Sequence, residues 1–320
     1  MTTEQDLIAR IAERAGSGDA LIGIGDDAAV IDPDPGRRPV LTTDTLVDGV
    51  HFDHRWSPSD LGHLALAVNL SDLAAMGAAS RWALLSLTLP EGDADWLDAF
   101  LDGFLPLARS TDTSLIGGNI ARGPLSITVQ LIGEVDPRQV ARRLPGAEGD
   151  LVVVSGTVGD AAAALALGEA AGPELKARLL RPTPRLGLGQ ALAKPARSML
   201  DLSDGLAGDL SRLLRSDGPG VEIELTSLPA SGALCAAVTD AERRWQYQLG
   251  GGSDYELCAL VAAERAGELN GLIESESCRL TVIGRITGAP GIRWRRPDGS
   301  LLGCEQARGW QHFSQGDQHG

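Results

Sequence analysis

The sequence predicts a two-domain protein of mixed class, an α+β N-terminal half followed by an α/β C-terminal half. Three observations carry that prediction. The chain has 320 residues, more than one compact core organises and suited to two domains of ordinary size. It is 43% hydrophobic but only 4% aromatic, so its core is Ala, Leu, Val and Ile packed among 40 glycines, which suits helices and strands joined by tight turns. Strand-like and helix-like segments alternate on either side of a polar, turn-rich stretch, "DPRQVARRLPGAEGD", at 136–150, which reads as a linker.

The elements follow in order. "MTTEQDLIARIAERAG" (1–16) has an amphipathic helical pattern. "AAVI" (28–31) and "RPVLTTDTL" (38–46) read as strands joined by the proline-rich turn "DPDPGRRP". A helix is expected from Pro58 to Met76, capped by Ser57 or Ser59 and closed by Gly77. A strand at 82–90 and a helix over 93–110 come next, Pro106 leaving the end of that helix open. "TSLIGG" (113–118) and "LSITVQLIGEV" (125–135) complete a first domain over 1–137. The second domain, 148–313, starts with strand "DLVVVSG" and the alanine-rich helix "DAAAALALGEA". "SMLDLS" then leads into helix "DGLAGDLSRLLRSDG" (204–218) and strand "VEIEL". A helix from about 230, strand "YELCALV", a helix from about 264 and strand "RLTVIGRI" follow, and 314–320 form a polar tail.

Charge narrows the function. With 28 basic and 43 acidic side chains, a formal charge of -15 and a pI near 4.7 argue against nucleic acid or a membrane surface as partner. A small anionic substrate would need metal ions to bridge it to such a protein. Cys235, Cys258, Cys278 and Cys304 are widely spaced, form neither a zinc pattern nor a disulfide framework, and read as reduced core thiols of a cytoplasmic protein. No signal peptide or membrane span is expected.

Gly23, Gly25 and Ala28 match G-x-G-x-x-A, with Asp44 near the distance of a ribose-binding acid. A dinucleotide site is rejected, because that motif must open a helix and here it opens a β-prone run broken by two prolines. The stronger signal is acidic. Asp26 and Asp27 stand side by side in "GIGDDAAVI" (23–31), where like charges resist burial unless a positive partner holds them; the plain alternative is two turn residues. Asp72 shares a helical face with Leu61, Leu64, Val68 and Met76, so it is expected to be partly buried, either at a functional site or paired with one Arg or Lys. Asp44 shares one side of its strand with Val40 and Thr42. Asp201 and Asp204 occupy a strand-to-helix turn, where Ser203 or Asp204 could also be a helix cap. These acids lack basic neighbours in sequence. Oxygen ligands without His or Cys are what Mg²⁺ prefers, so the acids are expected to hold several magnesium ions. The chain has no phosphate-binding G-x-x-x-x-G-K-[ST] motif, so phosphates would have to be met by metals and by backbone amides such as those of "GGNIARGP" and "SGTVGDAA".

The stretches "GIGDDAAV", "TTDTLVDGVHF", "ALAVNLSDLAAMGA", "IGGNIARGPLSITV", "SGTVGDAAAAL", "LRPTPRLGLGQALA", "MLDLSDGLAGDL" and "GGSDYELC" together resemble the thiamine-monophosphate kinase family, in the aminoimidazole ribonucleotide synthetase-like superfamily. The resemblance runs from about Leu21 to Phe313. It implies ATP-dependent, Mg²⁺-assisted phosphorylation of thiamine monophosphate to thiamine diphosphate, by a homodimer whose N-terminal sheets join into a barrel. Carried over by motif, the metal ligands are Asp27, Thr42, Asp44, Asp72, Asn119, Asp201 and Asp204, with Asp26 adjacent. Asp44, Asp72 and Asp204 are expected to be indispensable to turnover. ATP is expected at Thr43, Gly118, Asn119, Arg143 and Ser203, and the thiamine substrate at His51, Ser253 and Trp310.

Two positions depart from the family pattern. Asn119 stands where an Asp is common, and Ser253 where a Glu is common, which weakens one metal position and removes an acid near the substrate. Two other readings remain: a related ATP-dependent synthetase acting on another small phosphorylated acceptor, or a catalytically silent nucleotide-binding dimer. A selenophosphate synthetase is disfavoured, since no Cys lies near the N-terminal glycine turn.

Overall fold

In the computed structural model, residues 2–53, 55–215, 217–276 and 278–303 are described. They divide into two units, Met1–Val140 with Leu180–Ala191, and Ala141–Leu179 with Leu192–Gly320. The chain passes from one unit to the other after Val140, Leu179 and Ala191. The stretch at 180–191, placed by sequence in the second domain, groups with the first unit, where Gly189 packs so closely on the Ala74 carbonyl that a Cβ would stand 2.1 Å from it.

The first unit contains α1 (Glu4–Ala15), β1 (Arg38–Val47), α2 (Pro58–Ala75), β2 (Ala79–Leu89), α3 (Ala94–Ser110), β3 (Ser114–Arg122) and β4 (Ser126–Val135). Its sheet runs β1-β4-β2-β3, with β4 antiparallel to both neighbours and β2 parallel to β3. Thr3 opens α1 with a reciprocal capping box to Asp6, and Ser57 caps α2 by accepting the Asp60 N–H. Leu61, Leu64, Leu66, Val68, Leu70 and Leu73 are all buried, so α2 is apolar all round rather than along one stripe. It meets α3 at backbone distance: a Cβ on Gly62 would lie 2.0 Å from the Phe100 carbonyl oxygen, and one on Gly103 1.7 Å from that of Ser59. Despite Pro106, α3 continues to Ser110.

One expected strand is absent. "AAVI" contributes only an isolated bridge between Ile22 and Val30. The Val30 N–H donates to the Ile22 carbonyl at 2.8 Å and the Leu21 N–H to that of Val30 at 2.8 Å, closing 21–30 into a loop with the glycines and acids at its tip. Gly23, Gly25, Pro33 and Pro35 flank a run too short to sustain a ladder.

The second unit supplies β5 (Leu151–Ser155), α4 (Asp160–Leu167), α5 (Pro173–Leu180), α6 (Leu186–Leu192), β6 (Ala196–Asp201), α7 (Leu206–Ser211) and β7 (Gly220–Glu224). It continues with α8 (Gly232–Ala237), α9 (Ala241–Gly250), β8 (Leu257–Val261), α10 (Glu268–Glu276), β9 (Leu280–Thr287) and β10 (Ile292–Arg295); of these elements α6 belongs to the first unit except for Leu192, and α5 enters it only at Leu180. The sheet order is β10-β7-β9-β5-β8-β6, antiparallel except for β10 beside β7. Val152, Leu200, Leu210, Ile223, Leu260 and Ile283 form the centre of its core. The helix expected over 204–218 is only Leu206–Ser211. Its N-cap is Gly205, with no side-chain cap bond, so neither Ser203 nor Asp204 plays the capping role open to it. Cys258 and Cys278 are buried as expected, but Cys235 is exposed. Cys304 and the polar tail lie outside the described residues. Among the described residues no helix is long and apolar enough to cross a membrane.

Candidate active site

In the first unit, β1 and α2 bring their oxygens together. Thr42 and Asp44 pair with Leu131 and Val129 on β4. The pleat turns Thr42 toward α2, where its hydroxyl donates to Asp72 Oδ2 at 2.5 Å. Asp72 is half-buried, as its helical face predicts. Thr43, on the opposite side of the strand, donates to the Val129 carbonyl at 3.2 Å. Beyond the end of β1 the chain turns back, and His51 Nδ1 accepts the Val47 N–H at 3.1 Å.

The acidic turn lies elsewhere in the same unit. Asp26 and Asp27 are exposed, which removes the burial expected for them, and the Asp27 N–H donates to Asp26 Oδ1 at 3.3 Å. They line a cavity of about 870 Å³, walled also by α1 and by Ser86, Gly118, Asn119 and Gln130 of the sheet. Gly118 and Asn119 lie opposite Leu85 and Ser86 in the parallel β2–β3 pair. At Gly118 φ is 150°, and a Cβ would stand 1.8 Å from the Leu85 carbonyl oxygen. Only glycine lets β3 run this close to β2 and form the cavity wall.

In the second unit, the acids that lack basic neighbours in sequence acquire them in space. Asp201, buried at the end of β6, faces Arg143 Nη2 at 3.9 Å. Asp204 pairs with Arg212, and its N–H donates to Asp209 Oδ2 at 2.9 Å. Asp209 also takes Arg212 Nη1 at 2.6 Å; burial pushes its carboxyl up to about 6. The turn at 155–162 differs from the expected phosphate cradle. The Gly156, Val158 and Gly159 N–H groups already donate to Arg279 O, Pro229 O and Asp254 Oδ1. Ser203 and Ser253 meet through the backbone, the Ser253 N–H donating to the Ser203 carbonyl at 2.8 Å. Trp310 lies outside the described residues.

Comparison with known proteins decides the family. Residues 25–135 match the model for AIR synthase related protein, N-terminal domain, and residues 147–295 the model for its C-terminal domain. The chain is 41% identical to the thiamine-monophosphate kinase of Salmonella typhimurium, over 97% of this chain and 98% of that one. The chain belongs to the thiamine-monophosphate kinase family. The crystal structure of thiamine-monophosphate kinase from Stenotrophomonas maltophilia K279a superposes with a TM-score of 0.85 at 43% identity, covering 92% of this chain and 96% of that one. AaThiL complexed with AMPPCP and TMP superposes with a TM-score of 0.76 at 31% identity, covering 97% of both chains.

Within this thiamine-monophosphate kinase scaffold, sequence reading missed a buried polar network. Glu256 accepts from Ser155 Oγ at 2.5 Å and from Arg178 Nη2 at 2.8 Å, while Asp160 accepts from Thr157 and Ser231 hydroxyls at 2.6 Å each. Asp254 joins it through Gly159. The available signal was an acid on either side of Tyr255 in "GGSDYELC", directly before a fully apolar strand.

Proposed function

We propose that this chain transfers the γ-phosphoryl group of ATP to the phosphate of thiamine monophosphate, giving thiamine diphosphate and ADP. An oxygen of the acceptor phosphate attacks the γ-phosphorus, the bond from that phosphorus to the β–γ bridging oxygen breaks, and ADP leaves with the electron pair. The acceptor is already anionic, so no strong general base is needed; the obstacle is repulsion between two polyanions. The observation that carries this reading is 41% identity along 97% of the chain to a thiamine-monophosphate kinase. A relative complexed with AMPPCP and TMP supports both substrates.

The cavity between the Asp26–Asp27 turn and Gly118–Asn119 has a volume of about 870 Å³, sufficient for a nucleotide, which supports ATP contacts at Gly118 and Asn119; Thr43, Arg143 and Ser203 are assigned to ATP on the family resemblance alone. Acceptor contacts are assigned to His51, Ser253 and Trp310. Magnesium fits the donor chemistry, because Asp27, Thr42, Asp44, Asp72, Asn119, Asp201 and Asp204 offer oxygen alone. Among the described residues no three His, Cys, Asp or Glu side chains form a metal-sized group, so the fit rests on donor type and on the Thr42–Asp72 contact. When bound, the ions would neutralise phosphate charge. Arg143 and Arg212 supply counter-charge to Asp201 and Asp204.

A cytoplasmic homodimer completes the reading. Leu41, paired with Ile132 on β4, is 70% exposed, and a second copy would cover that side chain. The decisive experiment is a coupled ADP assay with ATP, Mg²⁺ and a panel of phosphorylated acceptors. ADP release on adding thiamine monophosphate, and not without it, is expected. Release with another acceptor alone would favour a related synthetase, and no release with any would favour a silent nucleotide-binding protein.

A further inference from the structure

The connection between α9 and β8 holds, next to Ser253, a buried acid to which the phosphoryl transfer described above gives no role. Ser253 and Tyr255 both sit in left-handed backbone, with φ of 59° and 50°, a region that side chains with a Cβ rarely occupy. Asp254 lies between them and is 2% exposed. Its Oδ1 accepts the Gly159 N–H at 2.8 Å, while Oδ2 is buried and has no hydrogen-bond partner. Burial pushes this carboxyl well above the usual range, favouring its neutral form.

The same segment is laid on the turn after β6. The Ser253 N–H donates to the Ser203 carbonyl at 2.8 Å, the Tyr255 N–H to the Leu202 carbonyl at 2.8 Å, and the Leu202 N–H to the Glu256 carbonyl at 2.8 Å. A Cβ on Gly252 would stand 2.6 Å from the Ser203 carbonyl oxygen, so the two backbones are in contact. These bonds hold the segment at residues 253 and 255, and the Asp254 side chain provides a third attachment, to the turn before α4. A packing role alone would suit an apolar side chain, which would leave no orphaned oxygen. What an Asp adds is an acceptor one residue beyond Ser253 that reaches the Gly159 amide.

We propose that Asp254 is a positioning residue for the acceptor substrate: its bond to Gly159 locks the left-handed pair around it and so sets the direction of the Ser253 side chain. Asp254 itself touches no substrate. The inference rests on the assignment of Ser253 to the acceptor site.

The test is steady-state kinetics of the full chain, read by ADP release with ATP, Mg²⁺ and thiamine monophosphate, on Asp254→Ala, Asp254→Ser and Asp254→Asn. The Ala and Ser variants lose or fall short of the Gly159 contact and should raise KM for thiamine monophosphate by about tenfold or more, with KM for ATP within about twofold of the original. Asp254→Asn keeps an acceptor oxygen and should recover most of that loss. An unchanged KM for thiamine monophosphate in the Ala and Ser variants overturns the proposal. Unfolding of both, followed by circular dichroism, makes Asp254 a support of the fold alone and also overturns it. If the unsubstituted protein releases no ADP with thiamine monophosphate, it is the underlying function that fails.

Discussion

Gly118→Ala is the sharpest test of how the fold builds its cavity wall. The new Cβ would lie 1.8 Å from the Leu85 carbonyl oxygen, against 3.4 Å for an ordinary contact, so β3 must retreat from β2 by about 1.6 Å. Forced shifts of this kind cost about 1–3 kcal/mol, and an L-residue at φ 150° adds about 1–3 kcal/mol. A total near 3 kcal/mol corresponds to a fall in Tm of about 6–12 °C for a unit of this size. Because Asn119 is the next residue along the strand, KM for ATP should rise along with the loss of stability. Thermal denaturation and the coupled ADP assay read the two effects. A Tm within about 1 °C of the original, together with an unchanged KM for ATP, would refute the proposal that this backbone approach shapes a cavity for ATP.

Other outcomes follow from the same geometry. Asp44→Asn and Asp72→Asn should each reduce turnover by about a hundredfold or more while the melting curve stays cooperative, and near-normal turnover in both would remove these acids from the site. Arg178→Met leaves the fully buried Glu256 without its 2.8 Å partner and should cost about 3–5 kcal/mol in urea unfolding; adding Glu256→Gln should recover part of that loss, and additive losses would show that the pair is not coupled. Asp254 makes stability depend on pH. Its folded-state pKa is raised, so its contribution is fully present below the unfolded value near 3.8 and declines as pH rises above it. Asp254→Asn lacks that decline, so its stability relative to the original protein should improve from about pH 4 upward; a constant difference in urea unfolding across that range would contradict the buried, proton-retaining carboxyl.

Where local pattern and tertiary context agree, the chain is legible. The Pro58 helix begins at Ser57 as its cap requires, and the 38–46 run forms β1 because its alternation matches one covered face. Asp72 is half-buried as its spacing suggests, although the helix is covered on nearly every side and Asp72 is less buried than Ser71 and Leu73 beside it. Where a segment is short, context wins. "AAVI" is a bridge within a loop, and the helix after Gly205 stops at Ser211, since neither run can form enough of its own hydrogen bonds to hold its conformation unaided.

By itself, the amino-acid sequence determined the class of the fold, the two-part organisation, the family motifs and the all-oxygen character of the candidate ligands, because these depend on composition and on periods of two to four residues. Tertiary structure alone decided that Asp26 and Asp27 stay exposed beside a cavity, that Asp201 and Asp204 each face an arginine, and that the glycine-rich turn at 155–162 spends its amides inside the protein. It also gathered Ser155, Asp160, Arg178, Asp254 and Glu256 into one network. Charge pairing and hydrogen bonding act over a few ångströms, and which groups come within that distance depends on how strands far apart in the chain lie side by side.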